Sequence, residues 1–166
     1  MSVAIELFIT SVPSVLKILL LSLLPTFEGR YALLIGIAVG LDPLTSFTIA
    51  STGVAILAVV LPSVLTFIDD LARAVWNSKY TLISKFSGLY LRYVSSVRRR
   101  VHKYVDRYGT IGLILFVAVP LPATGVWTGA LGAYLLGMSK WRTVISLLVG
   151  GLISNTITLV AAVIVV

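Results

Sequence analysis

The 166-residue chain has no cysteine, a single histidine and only six acidic residues. The missing cysteines exclude a disulfide framework and thiolate metal sites. The single histidine, His102, stands among Arg98, Arg99, Arg100 and Lys103 and reads as a solvated residue at an interface. No histidine pair or acidic cluster stands at a metal-binding spacing, so no metal or other cofactor is implied. A Ser-His-Asp set, a glycine-rich phosphate loop and a nucleophile elbow are also missing, which leaves an enzyme with little support. Charge itself is scarce: 11% of residues are charged against 58% hydrophobic, and the mean hydropathy is +1.07. That is the composition of an integral membrane protein.

The length suits one membrane domain over residues 1–166, too small to enclose a wide pore alone and so open to homo-oligomerisation. Three stretches are long and apolar enough to span: 2–24, 45–68 and 142–166. Residues 2–24 lack a basic leading region and a small-residue cleavage site, and read as a retained helix rather than a removed signal peptide. Asn155, the polar exception in the last stretch, reads as a helix–helix contact, with a ligand contact as the alternative.

Two apolar pieces fit a bilayer awkwardly. Residues 25–42 are short, carry Glu28, Arg30 and Asp42, and are studded with Pro25, Gly29, Gly36 and Gly40, with Pro43 following. Residues 109–138 are long for one helix and are broken by Pro120-Leu-Pro122-Ala-Thr124-Gly125. Two prolines so close, followed by glycine, do more than kink a helix. Each piece therefore predicts a re-entrant hairpin rather than ordinary kinked spans. Interrupted apolar segments in corresponding halves point to a midplane transport site.

Residues 69–108 differ in kind. They hold most of the thirteen basic residues, among them Arg73, Lys79, Lys85, Arg92 and Arg98–Arg100. Apolar residues recur there at three- and four-residue steps, through Phe86, Tyr90, Tyr93, Val97, Val101 and Tyr104. This is the pattern of basic amphipathic helices lying on a membrane surface, and it needs no nucleic acid to explain it. The excess of Lys and Arg places the segment in the cytoplasm. With three spans, the N-terminus is then cytoplasmic and the C-terminus outside. The expected fold is all-α: three spanning helices, two oppositely oriented re-entrant hairpins forming an inverted repeat, and the cytoplasmic amphipathic region. Its divisions are 1–68, 69–108 and 109–166.

Ionisable groups in hydrocarbon are costly and mark candidate functional positions. Glu28, about three residues inside a helix that Pro25 can start, is a carboxylate held from water and suited to exchanging protons. Arg30, two residues on and so expected on a different helical face, offers a guanidinium fork to an anionic head group, or else pairs with Glu28 to hold the hairpin. Asp42 directly before Pro43 suits a helix cap, with a second protonatable site as the alternative. Thr124, Gly125 and Thr128 follow Pro120 and Pro122 and would present a hydroxyl and free N–H groups where a half-helix begins, a natural anion site, with plain turn chemistry at Pro120, Pro122 and Gly125 as the alternative.

The run Pro25-Thr-Phe-Glu28-Gly-Arg30-Tyr-Ala resembles the Pro-x-x-Glu-x-Arg-x-Ala signature of the small multidrug export proteins, in the wider DedA/VTT membrane superfamily. Tyr108 through Ala130, with Pro120, Pro122, Gly125 and Gly129, resembles that family's second signature, and the likeness covers about residues 18 to 153. The resemblance implies two re-entrant hairpins and a role in moving lipids between leaflets, as flippase or scramblase. Polyprenyl phosphate or phospholipid is the implied partner, with Glu28 and Asp42 as the functional acids. The chain departs from DedA proteins in carrying no arginine from Phe116 to Gly125; Arg30, Lys140 or Arg142 would have to supply that charge. The first reading is thus a lipid-phosphate transporter, with or without proton coupling. The alternatives are a proton-coupled exporter of lipophilic cations and a structural, lipid-binding membrane protein.

Overall fold

A computed structural model describes residues 13–76, 109–121 and 124–165. Six helices are described: α1 (Ser14–Leu23), α2 (Glu28–Ala38), α3 (Pro43–Trp76), α4 (Gly109–Ala118), α5 (Val126–Leu135) and α6 (Lys140–Val165). No strand occurs among the described residues. Two helices are long and apolar enough to cross a membrane, Pro43–Ile68 and Lys140–Ile164. Only 33% of each is buried within the protein, whereas a soluble core helix would be mostly buried. Ile56, Val59 and Phe67 on α3, and Ile153, Ile157 and Val160 on α6, face outward.

Two of the three expected spans are therefore present, each beginning two residues earlier than expected. Of the third, 2–24, residues 2–12 lie outside the described residues; the remainder is the ten-residue α1, which starts after Pro13 and stops at Leu23 and is too short to span by itself. About twenty residues are needed to span. The first interrupted unit is accordingly α1, a break at 24–27, and α2, not 25–42. Pro25 lies in the exposed turn of that break instead of opening the helix. The N-terminus, expected in the cytoplasm, lies outside the described residues. The second interrupted unit, α4–break–α5, falls within the expected 109–138. The basic segment lies outside the described residues from 77 onward, His102 included.

Side-chain contacts fix the helix directions. Ser22 abuts Gly53, Ile18 and Ser46 both pack near Gly36, and Gly29 meets Val54. Thus α1 runs with α3 and α2 runs against it. In the second unit Ser146 Oγ donates to Thr110 O at 3.3 Å, Gly150 abuts Ile114 and Val117, and Gly129 packs on Leu147. So α4 runs with α6 and α5 against it. The long helices are antiparallel: Val54 touches Gly151, and Asn155 Nδ2 donates to Ser51 Oγ at 3.3 Å. Val54, Leu57, Ala58, Leu113, Val117, Val126, Ala130 and Leu147 pack in the shared apolar core.

The two units also close in the same way. Both α2 and α5 end on a left-handed glycine, Gly40 (φ 88°) and Gly137 (φ 72°). Leu41 N–H bonds Gly36 O and Gly40 N–H bonds Ile37 O; in the second unit Met138 bonds Ala133 and Gly137 bonds Tyr134, all at 3.0 Å. These paired bonds satisfy helix-end carbonyls in the Schellman manner, which only an unhindered residue such as glycine accepts readily. Every pair of equivalent residues is separated by one constant sequence offset, and it continues into the starts of α3 and α6. There Ser46 N–H bonds Asp42 O, and Thr143 N–H bonds Ser139 O.

Candidate functional site

The two breaks meet. Each leaves helix ends with unsatisfied backbone groups, which cannot be tolerated away from water. The other unit satisfies them. Arg30, from the first turn of α2, donates through Nη1 to Leu121 O at 2.9 Å, to Val119 O at 3.3 Å and to Thr124 Oγ1 at 3.4 Å. Its guanidinium thereby covers the carbonyls that follow α4. Glu28 Oε1 accepts from Trp127 N–H at 3.2 Å, at the start of α5. In return the Trp127 indole N–H donates to Leu23 O, the last residue of α1, at 3.2 Å.

Arg30 Nη2 also pairs with Glu28 Oε2 at 3.2 Å. Both residues are 6% exposed, so the pair is shielded from bulk water. Two residues apart on a regular helix they would diverge. They converge because Glu28 has φ 46°, a left-handed backbone uncommon for a non-glycine residue. Its N–H bonds Leu24 O across the break at 3.0 Å, and that turn swings the carboxylate over toward both Arg30 and α5. Strained backbone of this kind is costly and concentrates at functional positions. The expectation of separate faces is thus overturned.

Gly125 is the N-terminal cap residue of α5, with extended backbone that any residue could adopt. Its requirement is for space: a Cβ there would overlap the Glu28 carboxylate. Thr124 sits within 2.8 Å of both Val119 O and Leu121 O and so fixes the break that Arg30 reads. The anion expected at this half-helix N-terminus is Glu28 itself.

Other candidates lie apart. Thr128 Oγ1 turns to Gly125 O at 3.4 Å. Pro120 is exposed in the break, and Pro122 lies outside the described residues. Asp42 is exposed and caps α3, its Oδ2 accepting from Leu44 N–H at 3.0 Å and Thr45 N–H at 3.1 Å. Lys140 and Arg142 are exposed in the first turn of α6. At 1.5 Å per residue, Arg142 is about 18 Å along that helix from Ser154, which borders the Glu28 centre. Trp127 was not expected. An aromatic side chain with an N–H, directly after the glycine of a broken helix, is the signal that could have drawn attention to it.

The family model described as "Putative small multi-drug export protein" matches residues 28–157, most of the chain. The chain belongs to that family. The matched region opens at Glu28 and includes Arg30, Thr124, Gly125, Trp127 and Asn155. Membership makes the chain a membrane transport protein and not an enzyme. No curated protein and no solved structure matches it.

Proposed function

We propose that the chain carries a lipid phosphate, a polyprenyl phosphate or a phospholipid, between membrane leaflets together with a proton. One observation carries this reading. The Glu28 carboxylate is seated between the Arg30 guanidinium and the Trp127 N–H that opens α5. A guanidinium and a helix N-terminus are the groups that bind a phosphate head group. Glu28 therefore occupies an anion site as a built-in stand-in for substrate.

Charge balance selects the substrate. Arginine keeps its charge in proteins, so this centre is neutral only when one anion accompanies Arg30. If Glu28 takes a proton and lets go, an incoming phosphate monoanion restores neutrality. A cation entering the same centre would add uncompensated charge in surroundings of low dielectric.

The helices suit a site at mid-depth. The described helices α1, α2 and α5 hold ten or eleven residues each, about 15–17 Å or half of the hydrocarbon core, so the units α1–α2 and α4–α5 read as re-entrant hairpins. Their opposite directions, set by antiparallel α3 and α6, fit an inverted repeat of the DedA/VTT kind with substrate held at the broken helices. The basic segment after α3 belongs in the cytoplasm by the positive-inside rule. The first hairpin then opens outward, the second inward, and α6 ends outside.

The family's description favours a second reading, proton-coupled export of lipophilic cations at Glu28. Ligand-induced thermal shifts of the purified protein separate the two. Polyprenyl phosphate should stabilise the wild type more as the pH falls and should stabilise Glu28→Gln at every pH. A quaternary ammonium dye should stabilise neither. Stabilisation by the dye alone, lost in Glu28→Gln, would establish the second reading instead.

A further inference from the structure

Among the described residues two buried side-chain oxygens have no hydrogen-bond partner within the protein, Ser46 Oγ and Ser154 Oγ. Such groups are rare in folded proteins and call for an explanation. Ser46 packs tightly against Gly36. Ser154, only 4% exposed, instead borders a cavity of about 10 Å³ shared with Glu28, Arg30 and Asn155. That is room for about one water molecule, and the site is polar enough to hold it. Of the lining side chains only Glu28 and Arg30 are charged or titratable; α3, α4, α5 and α6 contribute apolar residues, glycine, serine and asparagine. The Asn155 amide gives one N–H to Ser51 and keeps a second N–H and its carbonyl, so the unpartnered Ser154 hydroxyl orients a water from the α6 side with Asn155 beside it.

We propose that this cavity is a hydration site whose single water, oriented by Ser154, delivers protons to Glu28 and takes them away. A proton from bulk hydronium joins the water as one of the water's own protons passes to a Glu28 carboxylate oxygen. One O–H bond breaks and one forms at the water, the carboxylate becomes a carboxylic acid, and the water is unchanged. Release runs the same steps backward. Ser154 is a positioning residue in this scheme, since it acts on the water and not on the transported lipid. The inference rests on the reading of Glu28 as the proton-exchanging group.

The test needs no transported substrate. Full-length protein in lipid is followed by infrared difference spectroscopy through pH jumps, for wild type, Glu28→Gln, Ser154→Ala and Ser154→Thr. Ser154→Ala removes the hydroxyl, and Ser154→Thr keeps it while filling the cavity with a methyl group. A carboxylic acid C=O band lost in Glu28→Gln identifies the group. That band should move in both Ser154 variants, and its rate of appearance should fall roughly tenfold or more, the scale of a lost proton-transfer partner. Either Ser154 variant suffices if the other fails to fold. A Glu28 band whose position and rate are unchanged by either variant overturns the water site while leaving proton exchange intact. The lack of any band dependent on Glu28 overturns the proton reading and the water site with it.

Discussion

Glu28 and Trp127 close the gap between the two broken helices from both sides. The carboxylate accepts from the Trp127 backbone N–H at 3.2 Å, and the Trp127 indole donates back to Leu23 O, across the break from Glu28, at 3.2 Å. Each unit thus completes the helix ends of the other, so the centre exists only when both are in place. Any step that releases Glu28 also frees the start of α5.

The space kept for Glu28 is testable through Gly125. Gly125→Ala should displace the carboxylate and destabilise the protein by about 1–3 kcal/mol, as overpacking usually does. Gly132→Ala on the same helix meets nothing within 4 Å. It should be neutral or stabilising by up to about 1 kcal/mol. Thermal unfolding of both variants in detergent checks the contrast.

Arg30 is expected to matter to folding as well as to substrate. Arg30→Lys keeps the charge but cannot reach Val119 O, Leu121 O and Glu28 together, at a cost of about 1–3 kcal/mol for the groups left unpaired. Arg30→Ala leaves a buried carboxylate uncompensated, which costs about 3–5 kcal/mol. Adding Glu28→Gln to Arg30→Ala should recover part of that loss. A double-mutant cycle by thermal or denaturant unfolding measures the coupling.

How much of this was legible in the chain differs from residue to residue. Glu28 and Arg30 stood out because charge in an apolar run is costly, and Pro120 through Gly125 because prolines and glycine break helices. Asp42 before Pro43 reads as the cap it forms. The first unit was misplaced because Pro25 suits a helix start as well as a break, and local chemistry cannot choose between them. The Glu28–Arg30 pairing was hidden because it depends on a left-handed φ at a non-glycine residue, imposed by tertiary packing. Trp127, Leu23 and the carbonyls of Val119 and Leu121 meet only through the folded arrangement, which no spacing along the chain discloses.

Val54 sits where the long helices cross, in reach of Gly151 and Gly29. Gly151→Ala should push α3 and α6 apart and destabilise by about 1–3 kcal/mol. Trimming Val54 to Ala in the same molecule should recover much of the loss, because the removed methyl groups vacate the space. Unfolding temperatures of the two single variants and the double variant decide whether the helices cross there.

Asp42 should prove separable from transport. Asp42→Ala removes the acceptor for Leu44 and Thr45 N–H and should cost about 1 kcal/mol of stability. The rate of transport should stay close to that of wild type. Unfolding and transport measured on one preparation give both numbers.

The central claim, that one proton and one lipid phosphate share the Glu28–Arg30 centre, is tested most directly in liposomes. Reconstituted protein is given a labelled polyprenyl phosphate, and leaflet accessibility and internal pH are followed together under an imposed pH gradient. Wild type should move the lipid faster when the donor side is acid and should move protons with it. Glu28→Gln should bind the lipid yet fail to turn over. Lipid movement no faster than in protein-free vesicles, or equal rates in wild type and Glu28→Gln, would contradict the account.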